Sequence, residues 1–419
     1  MNVLVLGATG LIGSHAVRVL RDAGCRVTGL SRRRLVGEQD WLEADFGSLT
    51  TERDWLPLLQ GYDAVVNCVG IIRETRAGDF DRLHRAAPVA MFAACEKLGT
   101  LRVVQVSALG SHPAAATGYW RSKGAAEVDL LARGLQSTII RPSLVYGEDG
   151  ASSVMFRMLA TLPVLMMPMA HGAQVQPIHV ADLAAIIVRL VMAEQAPPRE
   201  LAVVGPRATS MAGYLGDLRH GMQAAPALVL DLPLPVARVV ARVAAWLPSS
   251  ALTPESLLML EQSADGGNTA NAATAAALLG RPLRDPAQFA QPAQRAGAVW
   301  GWASTLITLA MAALWLLTAA VSWFGWPHET SRAWLAACHV PVFAQEPMLL
   351  AASIADAAIG VLLLLRPRRW LWAVQLALVG GYTAVMSVCL PLFWLHPFGP
   401  LSKNLPLLAL ILVMWRVSR

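Results

Sequence analysis

The sequence predicts two structural classes in one chain, an α/β domain built on a parallel sheet and, after it, a bundle of four transmembrane helices. Short apolar runs alternate with helical stretches as far as about residue 141, which is typical of a parallel sheet covered on both faces. After about residue 295, long segments carry almost no charge. Overall, 55% of the 419 residues are hydrophobic and only 15% are charged, which is too apolar for an ordinary soluble enzyme.

The first domain is expected to span residues 1–290. Its apolar, strand-like runs are 2–6, 26–30, 62–68, 101–107 and 137–141, and helical patterns lie near 52–59, 80–98 and 122–133. From residue 147 to about 290, strand signals are fewer and Pro and Ala are frequent. We interpret this range as a smaller lobe on the substrate side of the sheet.

The second domain is expected to span residues 297–419 and to cross the membrane four times. The predicted spans are about 299–325, 347–365, 370–394 and 401–417. The first three are long enough to cross a bilayer, and tryptophans cluster at their ends as in interfacial belts. The fourth is shorter, with Lys403 and Arg416 near its ends.

The loops predict how the chain is oriented in a cytoplasmic (inner) membrane. The loop between the second and third spans, here called the arginine loop, contains Arg366, Arg368 and Arg369, whereas the two other loops contain one Lys or Arg each. The positive-inside rule therefore places the N-terminal domain, the arginine loop and Arg419 in the cytoplasm.

Composition argues against several other classes of protein. The five cysteines, at positions 25, 68, 95, 338 and 389, show no CxxC or CxxH spacing, so we expect neither a metal site nor disulfides. The net charge of +6 comes without a basic block interleaved with aromatics, which argues against a nucleic-acid partner and favours contact with anionic lipid. Residues 1–6 lead directly into a glycine motif and do not resemble a signal peptide.

The glycine motif predicts a dinucleotide site in a Rossmann-type domain. It lies between the first strand and the first helix, where backbone N–H groups and the helix N-terminus can hold a pyrophosphate. The candidate cofactor-binding residues here are Gly7, Thr9, Gly10, Leu11, Ile12 and Gly13.

The residues after the second strand indicate which dinucleotide is bound. NAD sites usually place an acidic residue there, whereas this chain has Ser31 and Arg32 followed by two more arginines. A guanidinium suits a 2′-phosphate, so NADP(H) is favoured, with NAD(H) left open. Asp45 is a candidate contact for the adenine, and Asn67 and Gly70 lie where the strand run 62–68 meets the cofactor.

Tyr119 and Lys123 form the candidate catalytic pair. They are separated by four positions, which places a phenol and an ammonium on one face of a helix. We expect the ammonium to lower the phenol pKa, so that Tyr119 can exchange a proton with a carbonyl or carbinol. Ser107, at the end of the strand run 101–107 and twelve residues before Tyr119, is a further catalytic candidate.

These motifs resemble the extended or atypical short-chain dehydrogenase/reductases over residues 1–290. The GxxGxxG motif, the YxxxK motif and the segment 141–147 (RPSLVYG) carry the resemblance. Segments 106–110 and 176–182 are most similar to the branch related to the nucleotide-binding accessory subunit of respiratory complex I. The resemblance implies that Tyr119 is the general acid/base, that Lys123 is its partner on the nicotinamide ribose, and that His179 and Asp182 are structural.

The C-terminal domain resembles the DoxX-like family of four-helix membrane proteins. The segment 396–408 (HPFGPLSKNLPLL), together with Asp356 in the second span, carries this resemblance. A carboxylate inside a span usually faces the bundle interior, so Asp356 is a candidate membrane site, with Asn404 or Lys403 as the expected hydrogen-bond donor.

Three functions are consistent with these features. The first is an NADPH-dependent oxidoreductase acting on a lipid-soluble carbonyl or quinone-like substrate, because a membrane anchor is useful when the substrate lies in the bilayer. The second is a non-catalytic NADP(H)-binding scaffold or redox sensor of a membrane protein complex. A sugar-nucleotide epimerase or dehydratase is a weaker alternative.

Overall fold

The computed structural model describes residues 1–34, 37, 40–99, 101–246, 253–264 and 268–418. The chain divides into two compact units, Met1–Ala298 and Val299–Arg419, and each is described by itself. Arg419, which was used above to predict the orientation of the C-terminus, lies outside the described residues.

The first unit is built on a seven-stranded parallel sheet with the order β11-β6-β5-β4-β1-β2-β3. The bounds of these strands are β1 Asn2–Leu6, β2 Arg26–Ser31, β3 Trp41–Glu43, β4 Ala64–Asn67, β5 Arg102–Val106, β6 Ser137–Pro142 and β11 Glu200–Val203. Leu6 of β1 is in register with Leu30 of β2 and with Asn67 of β4. The carboxyl ends of the central strands therefore meet at one edge, which is where ligands bind in such sheets.

Helices cover both faces of this sheet. Their bounds are α1 Leu11–Asp22, α2 Glu52–Leu59, α3 Asp79–Asp81, α4 Ala87–Leu98, α5 Gly118–Ala132 and α7 Val180–Val191. Alternate residues of β1 enter different cores: Val3 and Val5 pack with residues of α1 and α7, whereas Leu4 and Leu6 pack with residues of α2 and α4. The two-residue period of a strand explains this division and the absence of polar residues from β1 after Asn2.

The range 147–290 is not a separate lobe throughout, and our interpretation of it is corrected in part. Within it, β11 pairs with β6 as an edge strand of the main sheet, and α7 packs on α1. The sequence pattern did not predict β11, because this strand has only four residues and begins with Glu200.

The rest of this range forms the smaller lobe. It contains three two-stranded sheets, which pair β7 (Val145–Tyr146) with β10 (Ile178–His179), β9 (Gln174–Val175) with β12 (Thr209–Ser210), and β8 (Val164–Pro168) with β13 (Leu228–Leu232). Its helices are α6 Ala151–Ala160, α8 Met211–Gly221, α9 Leu234–Ala244, α10 Pro254–Ser263 and α11 Ala273–Leu279.

The second unit is helical. Its helices are α12 Arg295–Ala320, α13 His328–Ala337, α14 Val342–Leu365, α15 Arg369–Cys389 and α16 Asn404–Val417. Three segments in the described part of the chain are long and apolar enough to cross a membrane, namely Pro292–Gly325, Val342–Leu365 and Arg369–Cys389. With 14 residues, α16 is about 21 Å long, which is shorter than a bilayer core of about 30 Å.

The predicted spans differ from these bounds by a few residues, and the second and third differ for identifiable reasons. The third was expected to continue to residue 394, but α15 ends at Cys389 because Pro391 cannot continue the helix and begins a short 3₁₀ turn. The second begins earlier than expected, at Val342, with Pro347 accommodated inside α14.

Candidate functional site

The glycine turn has the geometry that a pyrophosphate site requires. Gly7 adopts a φ of +70°, which favours glycine. A Cβ on Gly13 would lie 2.2 Å from the Gly7 carbonyl oxygen, so only glycine permits α1 to start this close to the turn. The N–H groups in the first turn of α1 have no acceptor within the helix and are available to a phosphate.

Of the other turn residues, Thr9 and Gly10 are exposed and Leu11 and Ile12 are half-buried. The Leu11 side chain extends toward Gly147 at the start of the smaller lobe, where an added Cβ would lie 2.6 Å from its Cδ1. The turn therefore presents its backbone outward and uses its apolar side chains for packing. This arrangement fits a dinucleotide phosphate.

Ser31, the last residue of β2, and Arg32 after it lie beside this turn, since the N–H of Gly7 donates to the Leu30 carbonyl. The Ser31 hydroxyl is engaged internally: it donates to the carbonyl of Arg33 and accepts from the indole of Trp41. Arg32 is exposed. Of these two side chains, the Arg32 guanidinium is therefore the more accessible to solvent.

The other predicted cofactor contacts are partly occupied by local structure. The Asp45 carboxylate caps the 3₁₀ turn Phe46–Ser48 by accepting from the N–H of Gly47. Asn67 is fully buried, donates to Gln105 and accepts from the N–H of Val69. Its side chain therefore shapes the end of β4. Gly70 lies against the catalytic candidates, because a Cβ there would be 3.3 Å from Lys123 Nζ.

Tyr119 and Lys123 share a face of α5 near the carboxyl ends of β4 and β5. The Lys123 ammonium lies 5.7 Å from the centre of the Tyr119 ring and donates to the Val106 carbonyl at 3.2 Å. Thr117 starts the helix by accepting from the N–H of Trp120, which fixes Tyr119 in the first turn.

The electrostatics of the pair differ from the expectation. Burial raises the pKa of Tyr119 to about 12, and burial lowers the pKa of Lys123 to about 8 despite the opposing effects of Glu127 and Cys68. The expected lowering of the phenol pKa by the ammonium is therefore wrong for the chain by itself, because desolvation dominates at the phenol. Near neutral pH, Tyr119 keeps its proton and is suited to act as an acid.

His84 is a site residue that the sequence analysis missed. Its Nε2 accepts from the N–H of Ile71 at 3.0 Å, so Nδ1 carries the proton and donates to Ser122 Oγ at 3.0 Å. The Ser122 hydroxyl donates in turn to the Tyr119 carbonyl. Burial lowers the pKa of His84 to about 2, with a further contribution from Lys123, which agrees with a neutral ring.

This ring also touches the catalytic tyrosine candidate. The His84 and Tyr119 ring centres are 5.5 Å apart in an edge arrangement, and Phe80 stacks on the His84 ring with the two ring centres 5.4 Å apart. His84 lies 35 positions before Tyr119, so no local spacing signals the contact. It is a positioning residue, since it joins the loop after β4 to the first turn of α5.

Ser107 is buried, and its hydroxyl donates to Ser111 Oγ at 3.2 Å. Ser111, eight positions before Tyr119, is also buried and was not predicted. A second residue outside the predictions is Glu255 at the start of α10, whose carboxylate accepts from the N–H of Gly118 at 2.8 Å. The smaller lobe thus contacts α5 one residue from Tyr119.

His179 and Asp182 have structural partners, as the family resemblance implied. Asp182 is fully buried, forms an ion pair with Arg281 at 2.6 Å and accepts from the backbone N–H of Arg284. His179 caps α7 by accepting from the N–H of Ala181. Within the described ranges, no group of His, Cys, Asp or Glu side chains is arranged to hold a metal ion.

In the second unit, Asp356 is buried, but the structure does not join it to its expected donors. The amide of Asn404 donates instead to Thr383 Oγ1 at 2.8 Å, and Lys403 is exposed at the start of α16. Asp356 Oδ1 has no hydrogen-bond partner among the described residues. The expected bond is therefore not formed among the described residues, and the Asn404 amide is engaged by Thr383 of α15 instead.

The fold also brings together two cysteines that are 51 positions apart. The Cys338 thiol, just after α13, is within hydrogen-bonding range of the Cys389 thiol at the end of α15. The packing of Trp334 against Phe393, with ring centres 5.5 Å apart, holds the same two segments together. Both thiols are free.

Two family models match the chain. The NAD dependent epimerase/dehydratase family matches residues 3–205, and the DoxX-like family matches residues 312–412. Curated relatives match the first unit. A protein named ceramide reductase from Caulobacter vibrioides is 30% identical over 250 residues, which are 58% of this chain and 78% of the relative.

A second relative is the mitochondrial NADH dehydrogenase (ubiquinone) 1 alpha subcomplex subunit 9 of Mus musculus. It is 28% identical over 218 residues, which are 48% of this chain and 56% of that subunit. The matched region therefore spans little more than half of the mouse protein.

Solved structures share the fold of the first unit. The NADPH-dependent quinone oxidoreductase of Escherichia coli, complexed with NADPH, aligns with a TM-score of 0.55 at 16% identity, over 68% of this chain and 97% of that chain. The UDP-glucuronic acid 4-epimerase of Bacillus cereus, bound to NAD, aligns with a TM-score of 0.52 at 18% identity, over 69% and 96%. The chain belongs to the NAD dependent epimerase/dehydratase family of short-chain-dehydrogenase-like, NAD(P)-binding oxidoreductases, and it carries a DoxX-like membrane domain at its C-terminal end.

Proposed function

We propose that this membrane protein is an NADP(H)-dependent reductase that converts the carbonyl group of a lipid-soluble substrate into an alcohol. The observation that carries the proposal is the Tyr119 phenol beside Lys123, whose ammonium lies 5.7 Å from the ring centre, near the carboxyl ends of β4 and β5. Tyr119 carries its proton at neutral pH and can give it to a carbonyl oxygen, and the ammonium stabilises the phenolate that remains.

The roles of the chain's own residues follow from this geometry. A bound NADP(H) would supply the hydride. The Tyr119 hydroxyl supplies the proton that the carbonyl oxygen needs, and it regains a proton from water afterwards. Lys123 stabilises the phenolate in the interval by its positive charge, and His84, through Ser122, holds the first turn of α5 in place.

Preference for the phosphorylated dinucleotide is part of the proposal. It is supported by the exposed Arg32 at the end of β2 and by the arginines that follow it, where a guanidinium can bond a 2′-phosphate. Structural neighbours of the fold contain either NADPH or NAD, so the preference rests on Arg32 itself.

The substrate class is supported by the membrane domain and by the ceramide reductase relative. A membrane anchor concentrates the enzyme where a lipid-soluble ketone or quinone lies, and it would bring little advantage for a substrate dissolved in water. We further propose that the first unit and the arginine loop lie on the cytoplasmic side, where the cofactor pool is, in agreement with the positive-inside rule.

The test uses the full chain in lipid nanodiscs, with NADPH oxidation measured against a long-chain ketone such as an oxidised ceramide, and against a short-chain quinone. Tyr119→Phe keeps the ring and removes the proton, so turnover should fall by about 10²-fold or more while NADPH binding persists. Tyr62→Phe is the matched control, because Tyr62 lies just before β4, at the amino end of that strand, whereas Tyr119 lies near the carboxyl ends. Normal turnover in Tyr119→Phe would refute the catalytic assignment.

A second function is favoured by the similarity to the mitochondrial NADH dehydrogenase subunit. In this alternative, the chain binds NADP(H) without turnover and serves as a scaffold or sensor within a membrane complex. Tight NADPH binding, absence of turnover with every substrate tried, and no effect of Tyr119→Phe on the assembly would together favour it.

A further inference from the structure

Helix α9 of the smaller lobe has an unusually apolar exposed face. Val236, Val239, Val240 and Val243 are all exposed, and Trp246, two residues beyond the end of α9, retains 89% of its accessible surface. At about 100° per residue, the four valines fall within an arc of roughly 100° on one side of the helix. We call this arc the valine face.

The opposite side of α9 accounts for its packing. Ala237 and Ala241 are fully buried and pack with Leu257 of α10. The small side chains allow the two helices to approach closely, so the valine face is not needed to hold α9 in the lobe. It is available to another apolar partner.

Basic residues lie along one flank of the valine face. Arg238 forms an ion pair with Glu261 of α10, and Arg242 lies one turn further along. The two arginines border a cleft of about 270 Å³ between α9 and α10, whose other lining includes Leu257 and Leu258. An apolar face with guanidinium groups at its edge is the pattern of a helix that lies in the headgroup region of a bilayer.

The neighbouring sheet β8–β13 has the same character. Its exposed apolar side chains are Val164, Met166, Leu228 and Leu230. Apolar patches of this kind on a soluble surface mark interaction sites.

We take a lipid bilayer as the partner of the valine face. The lobe is joined covalently to the first membrane helix, because the chain passes from its last residues into α12, and the Arg295 side chain at the start of α12 donates to the Gln223 carbonyl at 2.8 Å. The arginine flank is complementary to anionic lipid headgroups.

The α9–α10 pair also contacts the catalytic candidates. Arg73, in the loop after β4, donates to the Ala245 carbonyl at the end of α9 at 3.0 Å. Glu255, at the start of α10, accepts from the N–H of Gly118 next to Tyr119. The two helices that carry the valine face and the cleft therefore meet the two segments that flank the proposed reaction site.

From these contacts we propose that the valine face lies in the headgroup–acyl boundary of the membrane and that lipid substrate enters the Tyr119 site from there, beside α9. The second part of the proposal rests on the proposed function, whereas the first part, insertion of α9, does not. Under the second part, the substrate is a molecule that enters the site laterally from the bilayer.

The insertion of α9 is tested by photo-cross-linking in the full chain, reconstituted in nanodiscs of phosphatidylethanolamine and phosphatidylglycerol. Val243 is replaced by the photo-reactive residue p-benzoylphenylalanine, and Val128 on the outer side of α5 serves as the control because it is a similarly exposed valine, at 54% against 65%. We expect phospholipid adducts by mass spectrometry at position 243, in at least about fivefold excess over position 128.

Three outcomes would overturn the insertion: no adducts at position 243, equal lipid adducts at both positions, or adducts with a second copy of the chain. None of them depends on catalysis, so they are distinguishable from failure of the proposed reaction.

The entry route is tested by kinetics. In Val239→Asp/Val243→Asp, kcat/KM for a long-chain ketone embedded in the nanodisc should fall at least about fivefold, because charged groups resist the apolar region, while kcat/KM for a short water-soluble ketone stays unchanged. Val128→Asp should alter neither. Equal loss with both substrates, or no loss with either, would overturn lateral entry along α9 even if position 243 cross-links to lipid.

Discussion

Replacing Lys123 should make the chain more stable in the absence of cofactor. The residue is 5% exposed, and its ammonium donates to one carbonyl and forms no salt bridge with any described residue. Burial lowers its pKa from 10.5 to about 8, which means that the folded protein disfavours the charged form. Lys123→Met retains the length and flexibility of the side chain and removes the charge.

The magnitude follows from the pKa difference. Each pKa unit corresponds to about 1.4 kcal/mol, so lowering the Lys123 pKa to about 8 costs about 3 kcal/mol when the lysine is charged in both the folded and the unfolded state. That cost applies in full below pH 8. As the pH rises from 8 to 10.5, the folded state loses its proton before the unfolded state does, and the cost disappears. Lys123→Met should therefore gain up to about 3 kcal/mol at pH 7, less what the Val106 carbonyl loses, and almost nothing above pH 10.5.

The assay is urea-dependent pulse proteolysis of the cofactor-free chain in detergent, repeated between pH 7 and 10.5. The matched control is Lys97→Met, because Lys97 is exposed and its ion pair with Glu52 lies at the surface, where such pairs contribute roughly 0–1 kcal/mol. If Lys123→Met is no more stable than the parent at pH 7, the ammonium is not desolvated and our description of the site is wrong. NADPH affinity should fall in the same variant. Such a fall would show that Lys123 contributes to cofactor binding although it lowers the stability of the folded chain.

The remaining predictions concern the cofactor and the topology. NADPH should bind more tightly than NADH, and Arg32→Ala should narrow the difference by about 1–3 kcal/mol in titration calorimetry, since it removes a charge-assisted hydrogen bond; equal affinities in the parent would contradict this. Gly13→Ala should abolish NADPH binding and lower the stability of the folded chain by about 1–3 kcal/mol, because the added Cβ would lie 2.2 Å from the Gly7 carbonyl oxygen. The control variant Gly216→Ala, in open space on α8, should be tolerated. Tight NADPH binding by Gly13→Ala would refute the role of the turn. Reporters inserted after residue 368 should read cytoplasmic and those near residue 336 external, and the opposite pattern would reverse the proposed orientation.

Local patterns allowed much of the fold to be predicted. The strand 2–6 and the helix 52–59 were placed at their observed bounds, because a buried strand and a helix with a capping box at Thr51 both leave signals within a few residues. The strand β11 left no such signal. Its place in the sheet depends on pairing with β6, some 60 positions earlier, and no short window of sequence records that contact.

The candidate site shows the same limit. The spacing of Tyr119 and Lys123 was visible because a helix turns a separation of four positions into a shared face. The environment of the pair was not, since it depends on His84, Gly70 and Glu255, which come from other elements and from the smaller lobe. Desolvation by burial is also why the expected effect of Lys123 on the Tyr119 pKa was wrong.

Asp356 is the counterpart of Lys123 in the membrane unit. Both are ionisable side chains that the fold buries without a salt bridge among the described residues, and such burial costs several kcal/mol for a charged group. For Lys123, the proposed role beside Tyr119 and the glycine turn explains why a buried charge is retained despite its cost in stability. For Asp356, the described residues supply no comparable reason: its Oδ1 has no hydrogen-bond partner among them, and the amide of Asn404 is bonded to Thr383. A buried carboxyl oxygen left in this way is a candidate for binding a ligand or carrying a proton. Asp356 therefore stays a predicted membrane site, and a role of the membrane unit beyond anchoring stays a prediction with it.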